Sequence, residues 1–219
     1  MSEHAIVMAK WPLRGKVKTR MADHTSEDFA FEVYQKLFDY TLRFWKQSPF
    51  DTTLCLDAAP YLPESRLRCK PQSPGHLGAR MHAAVLEEME AGSEKIVVVG
   101  TDCPALTHDL IKRAFNVLDY ADVVLGPALD GGYYLIGVSR DCPELFGPLN
   151  WGTSGILSDS IAICRAHGYS VVTLCMLRDL DTFEDLRALL GMKDVGMPDH
   201  EEILRSLSSL LGSMSETQG

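Results

Sequence analysis

The chain has 219 residues, of which 46% are hydrophobic and 23% charged, with 17 Gly and 11 Pro. That is an ordinary globular composition, and it excludes collagen-like, low-complexity and wholly disordered chains. The formal net charge of -9 argues against a general DNA or RNA binder, which wants a basic footprint. A small phosphorylated ligand needs only a local basic patch and stays open. No run approaches the ~20 apolar residues of a membrane span, and the run 5–9 is too short for a signal-peptide core. The six cysteines form no Cys-x-x-Cys pair, so zinc-ribbon and dithiol readings fail. Scattered thiols in a chain with an adequate core fit a reducing, cytoplasmic setting.

The elements alternate along the chain. A short apolar run at 5–9 reads as a buried strand. Ala30, Val33, Tyr34, Leu37, Phe38, Thr41, Leu42 and Trp45 predict one face of a helix over 28–45. A strand at 52–56 and a helix over 77–89 follow. The continuous β-branched run at 95–100 predicts a strand buried on both faces, as in a parallel sheet. A helix over 107–118 with Thr107 as its N-cap leads to strands at 122–126 and 133–138, which can pair antiparallel around Asp130-Gly131-Gly132. A helix over 154–166, a strand at 169–174, a helix from 182 to 190 and a helix over 199–211 complete the set. Thr182 and Asp185 resemble a capping box. The apolar face of the last helix is expected to pack onto the sheet, and residues 212–219 are expected to be a disordered tail.

This alternation predicts an α/β fold, a three-layer α/β/α sandwich on a mostly parallel sheet, in one domain over 1–211. Ligands in such sheets bind beyond the carboxyl ends of the strands. The loops after Ala9, Gly100, Gly126 and Leu174 should therefore share one rim.

The first of these loops, Lys10 to Arg20, holds five basic residues in eleven positions, a local inversion of sign in an acidic chain. At a strand end it makes a phosphate rim, with Gly15 allowing close backbone approach; it also reads as a solvated basic loop. It is not a P-loop, because Lys10 and Val17 stand where Gly and Ser or Thr are needed. In the second loop Asp102 can bind a divalent cation together with phosphate oxygens, or form an Asx-turn. In the third, Asp130 can face an acceptor or sugar hydroxyl, or merely close a hairpin. In the fourth, Asp181 is a second metal carboxylate or part of a helix cap. The seven histidines show no zinc-ligand spacing, and no Gly-x-Ser-x-Gly elbow is present.

Several runs together resemble the bacterial DUF2064 family of glycosyltransferases. They are Ala9-Lys10-x-Pro12…Gly15-x-Val17-Lys18-Thr19-Arg20, Gly75-x-Leu77-Gly78-x-Arg80-Met81 and Gly100-Thr101-Asp102-Cys103-Pro104. Gly126-Pro-Ala-x-Asp130-Gly131-Gly132-Tyr133-Tyr134-Leu-Ile-Gly137, Trp151-Gly152-Thr153 and Asp179-x-Asp181-Thr182 continue the set, over about 5–190. The family has the GT-A, nucleotide-diphospho-sugar transferase fold, and some members are called selenodomain-associated or arsenosugar-biosynthesis transferases. The resemblance implies that Lys18, Thr19 and Arg20 bind nucleotide phosphates, with Lys10 and Lys16 in support. It implies that Arg80 reaches the phosphates or the base, and that Asp102 and Asp181 hold Mg²⁺ or Mn²⁺. Asp130, Gly131 and Gly132 would contact the sugar or acceptor, with Trp151, Gly152 and Thr153 close by. Arg14 and His76 depart from the family's usual Pro and acidic residue. The expected activity is metal-dependent transfer of a sugar from a nucleotide-diphospho-sugar to a small-molecule acceptor. The alternative is nucleotidyl transfer from a nucleoside triphosphate to a phosphorylated small molecule, releasing pyrophosphate.

Overall fold

The computed structural model describes residues 2–58, 67–191 and 198–217, with backbone alone at 198–200 and 213–217. Its strands are β1 (Glu3–Ala9), β2 (Asp51–Leu56), β3 (Arg68–Pro71), β4 (Lys95–Val99), β5 (Val123–Pro127), β6 (Tyr133–Val138) and β7 (Val171–Thr173). The helices are α1 (Thr19–Ala22), α2 (Glu27–Lys46), α3 (Leu77–Glu90), α4 (His108–Val117), α5 (Ile156–His167), α6 (Phe183–Gly191) and α7 (Pro198–Thr217), with a 3-10 turn at Pro143–Phe146. The strands form one sheet in the order β3-β2-β1-β4-β6-β5-β7. Only β6 runs against its neighbours, pairing antiparallel with both β4 and β5. The expected α/β/α sandwich on a mostly parallel sheet is what forms.

The strands are apolar on both faces, and their period of two sorts the side chains into two cores. Ala5, Val7, Val97 and Val99 pack on one face with α2, α4 and α6. Ile6, Met8, Ile96 and Val98 pack on the other with α3 and α5. The helix starts follow local chemistry. Ser26 Oγ accepts from Phe29 N–H at 3.1 Å and Thr107 Oγ1 from Leu110 N–H at 3.1 Å. Thr182 and Asp185 make the predicted reciprocal box, Asp185 N–H donating to Thr182 Oγ1 at 3.1 Å and Thr182 N–H to Asp185 Oδ2 at 2.9 Å.

Three features differ from expectation. The apolar face of α7, with Ile203 and Leu207 buried, packs on α2 rather than on the sheet. Lys36 Nζ bonds Ser206 Oγ across that contact at 2.9 Å. The α7 backbone also continues to Thr217, beyond the Leu211 where the apolar pattern stops, because no Pro breaks it; residues 218–219 lie outside the described residues. Finally, β3 has no apolar signal. It is recruited by a buried carboxylate on α3. Glu88, 1% exposed, takes Arg68 at 3.1 Å, Lys70 at 3.4 Å and the Thr53 hydroxyl at 3.1 Å. His4 Nε2 lies 3.5 Å from the same carboxylate and 2.9 Å from Thr53 Oγ1.

Glu88→Ala should therefore cost about 1–2 kcal/mol, since it removes a buried acceptor from the Thr53 hydroxyl, while Arg68, 58% exposed, returns to water and Lys70 keeps Glu87; urea unfolding measures it. His4 adds a pH dependence. Burial holds its imidazole below the usual 6.5, while Glu88 pulls the other way. The unfolded chain then binds the proton first as pH falls. Stability contributed by neutral His4 is present above about 6.5 and is lost progressively below it. His4→Gln should flatten the acid-side slope of unfolding free energy against pH between 6.5 and 5.

Candidate active site

The four loops named from the sequence do meet. A cavity of about 500 Å³ opens over the carboxyl ends of β1 and β4, beside the Tyr133 end of β6. Its floor is Met8, Ala9, Val98 and Leu135, one wall is the first turns of α3, and the other is the segment 151–156. Lys10, Lys18, Thr19, Arg20, Asp102, Asp130, Asp179 and Asp181 line its polar end. A second cavity of about 250 Å³ shares Arg20, Asp130, Asp179 and Asp181 with it.

The centre of the polar end is an ion triad. Lys18 Nζ donates to Asp102 Oδ1 at 2.5 Å and to Asp181 Oδ1 at 2.8 Å, with the Lys18 side chain 3% exposed. Burial alone would depress this ammonium, but the two carboxylates overturn that and hold it above its usual value. Lys18 is also the one non-glycine with positive φ among the described residues, at φ 48° as the N-cap of α1. Such a backbone costs about 1–2 kcal/mol and persists only where surroundings dictate it. Here the carboxylates across the rim do so. Two other devices fix the loop. Tyr34 receives the N–H of Lys10 at 3.1 Å and donates to its carbonyl at 2.9 Å. Gly15, at φ +72°, closes the turn in which Lys16 N–H bonds Leu13 C=O at 3.0 Å.

Not every basic residue of that loop reaches the cavity. Lys10, Lys18 and Arg20 do; Arg14 is turned away onto Asp28, and Gly15 and Lys16 do not line it. Arg20 is 61% exposed and lies 3.6 Å from Asp181. Arg80 lines the opposite wall. His76, in the position that departs from the family pattern, caps α3 by accepting from Ala79 N–H at 3.3 Å.

Asp130 accepts from Gly132 N–H at 2.8 Å through Oδ1. Gly132, Trp151, Gly152 and Thr153 line the cavity, whereas Gly131 does not. Gly131, at φ +88°, lets the turn press on the Ser154 backbone, where a Cβ would stand 2.2 Å from the carbonyl oxygen.

Three residues of the site have no role assigned from the sequence, although Asp179 stands in the Asp179-x-Asp181-Thr182 run. Asp179 has a buried Oδ1 with no hydrogen-bond partner. Burial, then the charges of Asp130, Asp102 and Asp181, push its carboxyl up to about 7. Its one sequence signal is the Asp-x-Asp spacing with Asp181. Tyr34 reads as a core residue of α2, and Gln72 gives no signal at all.

The donor set bears on the expected metal. Asp102 and Asp181 converge, and an ammonium already sits between them as a stand-in cation. No group of three or more His, Cys, Asp or Glu able to hold a metal forms among the described residues. Two carboxylates suit Mg²⁺ or Mn²⁺ only if phosphate oxygens or water complete the sphere, which is how Mg²⁺ is commonly held. The pair fits such an ion on condition that Lys18 turns to the phosphates.

Residues 44–153 match the family model described as "Uncharacterized protein conserved in bacteria (DUF2064)". The chain belongs to this family. No curated protein sequence matches it. Among solved structures, a "putative nucleotide-diphospho-sugar transferase" from Desulfovibrio desulfuricans G20 is 28% identical with a TM-score of 0.84, covering 98% of this chain and 99% of that one. A cytidylyltransferase from Leptospira borgpetersenii shares the fold at 13% identity and TM-score 0.58, over 100% and 95% of the two chains. So does Rv0371C from Mycobacterium tuberculosis H37Rv, solved as a complex with manganese, at 16% identity and TM-score 0.50, over 86% and 98%. No helix among the described residues of this DUF2064 protein is long and apolar enough to cross a membrane.

Proposed function

We propose that this DUF2064 protein is a metal-dependent glycosyltransferase that uses a nucleotide-diphospho-sugar. The observation that carries this is the Lys18–Asp102–Asp181 triad at the polar end of a nucleotide-sized cavity. The likeness to the Desulfovibrio protein supports a transferase, and the manganese complex of the Mycobacterium protein agrees with a divalent ion. When bound, Mg²⁺ or Mn²⁺ would supply positive charge to the leaving diphosphate.

Lys18, Lys10 and Arg20 offer their charge to the diphosphate of the donor. As the bond from the anomeric carbon to the phosphate oxygen breaks, its electron pair stays on the diphosphate, and these cations meet the charge that develops. An acceptor hydroxyl forms the new bond at that carbon. Asp130 Oδ2, with Oδ1 already engaged by Gly132, is our choice to take its proton. Gly132, Trp151, Gly152 and Thr153 bound the sugar.

Nucleotidyl transfer uses the same rim. The basic loop favours it by number, but only Lys10, Lys18 and Arg20 of its five cations line the cavity. That suits a diphosphate better than a triphosphate. The test is thermal denaturation with nucleotide-sugars and nucleoside triphosphates, each with Mn²⁺, Mg²⁺ or EDTA. Saturation at 100 times the dissociation constant should stabilise the protein by about 2.7 kcal/mol. A metal-dependent shift with one nucleotide-sugar is expected. A shift with a triphosphate alone, with pyrophosphate released on turnover, would replace this reading by the nucleotidyl one.

A further inference from the structure

At the end of the cavity remote from the ion triad, Gln72 and Arg80 form a splint that the transfer chemistry does not need. The Gln72 amide nitrogen donates to the carbonyls of Ala9 and Cys55, each at 3.0 Å, and so ties the ends of β1 and β2 together. Its Oε1 accepts from an Arg80 terminal nitrogen at 3.1 Å, and Arg80 Nε donates to the Gly75 carbonyl at 3.0 Å. The guanidinium is thus held at two of its five donors. Among the described residues it pairs with no carboxylate, and its remaining N–H groups have no protein acceptor. Its neighbours on the cavity wall are Leu77 and Met81, with Met8 below. An apolar shelf beside a rigid, unneutralised donor edge suits the face and edge of a nucleobase better than a phosphate.

Position agrees. Gln72 anchors to β1 and β2, whereas Lys18 meets Asp102 past the end of β4, on the far side of β1. That separation is about two strand spacings, ~10 Å, which is the reach from an inner phosphate across a ribose to the edge of a base.

We infer that Arg80, splinted by Gln72 and Gly75, reads the base of the nucleotide, and that it selects a base presenting two adjacent acceptors, guanine or cytosine. Guanine offers O6 and N7 and cytosine offers O2 and N3. Adenine puts a donor beside each acceptor of its readable edges, and uracil interposes N3–H between its two carbonyls. A bidentate arginine contact to such a pair discriminates by about tenfold to a hundredfold. This inference rests on the nucleotide reading above and adds the class of base to it.

The test is isothermal titration of the full-length protein with GDP, CDP, UDP and ADP in Mg²⁺, for wild type, Arg80→Lys and Arg80→Met. Wild type should bind GDP or CDP at least tenfold more tightly than ADP and UDP. Both variants should bring the four nucleotides to within about threefold, by weakening the favoured one and leaving ADP nearly unchanged. Wild type that prefers ADP or UDP would overturn the inference and leave the nucleotide reading standing. Equal weakening of all four in both variants would overturn it too, and would place Arg80 on the phosphates. Binding of none of the four by wild type would remove the nucleotide reading itself, and this inference with it.

Discussion

Lys18→Met should lower turnover by about a thousandfold, the loss seen when a preorganised charge aimed at a leaving group is removed. The same variant should lose about 1–3 kcal/mol of stability. A fully enclosed pair broken on one side costs more, about 3–5 kcal/mol, but Asp102 and Asp181 are 43% and 32% exposed, and water solvates the carboxylates left behind. Met keeps the volume and the apolar stem, so the change isolates the charge. Because Lys18 is held well above its usual range, it stays protonated through neutral pH, and its share of stability is lost only as strongly alkaline pH approaches its folded value. Steady-state kinetics with the donor identified by the thermal panel, and urea unfolding at pH 7, measure the two losses separately. Lys18→Met with wild-type turnover would place the triad in folding alone.

Asp102→Ala should abolish detectable turnover and cost about 1–2 kcal/mol of stability. From sequence alone, on the metal reading of Asp102, the expectation is loss of activity with little loss of stability. The triad changes that, because Asp102 balances a buried ammonium. Asp102→Asn separates the two roles. Its amide oxygen can still accept from Lys18, so stability should recover by about half while turnover stays below a hundredth of wild type. The Mn²⁺-dependent part of the nucleotide-induced thermal shift should vanish in both variants. An active Asp102→Ala enzyme would remove the metal reading.

The legible parts of the site share one property. They lie at ends of strongly patterned strands, where the residue after the apolar run must fall on the rim. Lys10, Asp102 and Asp130 follow β1, β4 and β5 in this way, and Asp181 follows β7. Arg14 and Lys16 share the loop and its charge with Lys18, yet one turns to Asp28 and the other leaves the cavity. Charge counting cannot separate them, because the direction of each side chain is set by the turn at Gly15 and by the left-handed backbone at Lys18. Asp179 stands in a legible run, but its role is not legible there, because its meaning is its burial among Asp130, Asp102 and Asp181, three residues from three separate loops. Gln72 belongs to the same class, joined by bonds to strand ends distant in the chain, whereas Arg80 is legible in its own run and only its bracing by Gln72 and Gly75 is not.

Sequence by itself determines the layers of this protein, because burial on both faces of a strand and on one face of a helix is written in the period of its apolar residues. It determines the helix starts at Ser26, Thr107 and Thr182, which rest on bonds spanning three residues, and it determines that four polar loops meet at one rim. Only the tertiary structure decides that β3 exists, since its charged residues are held by Glu88 on another element. Only it decides that α7 packs on α2, and that the ammonium of Lys18 stands between Asp102 and Asp181. The reason is the same in each case. Local pattern encodes which side of an element avoids water, whereas the partner of a buried charge is set by chain segments that meet after the apolar surfaces have closed.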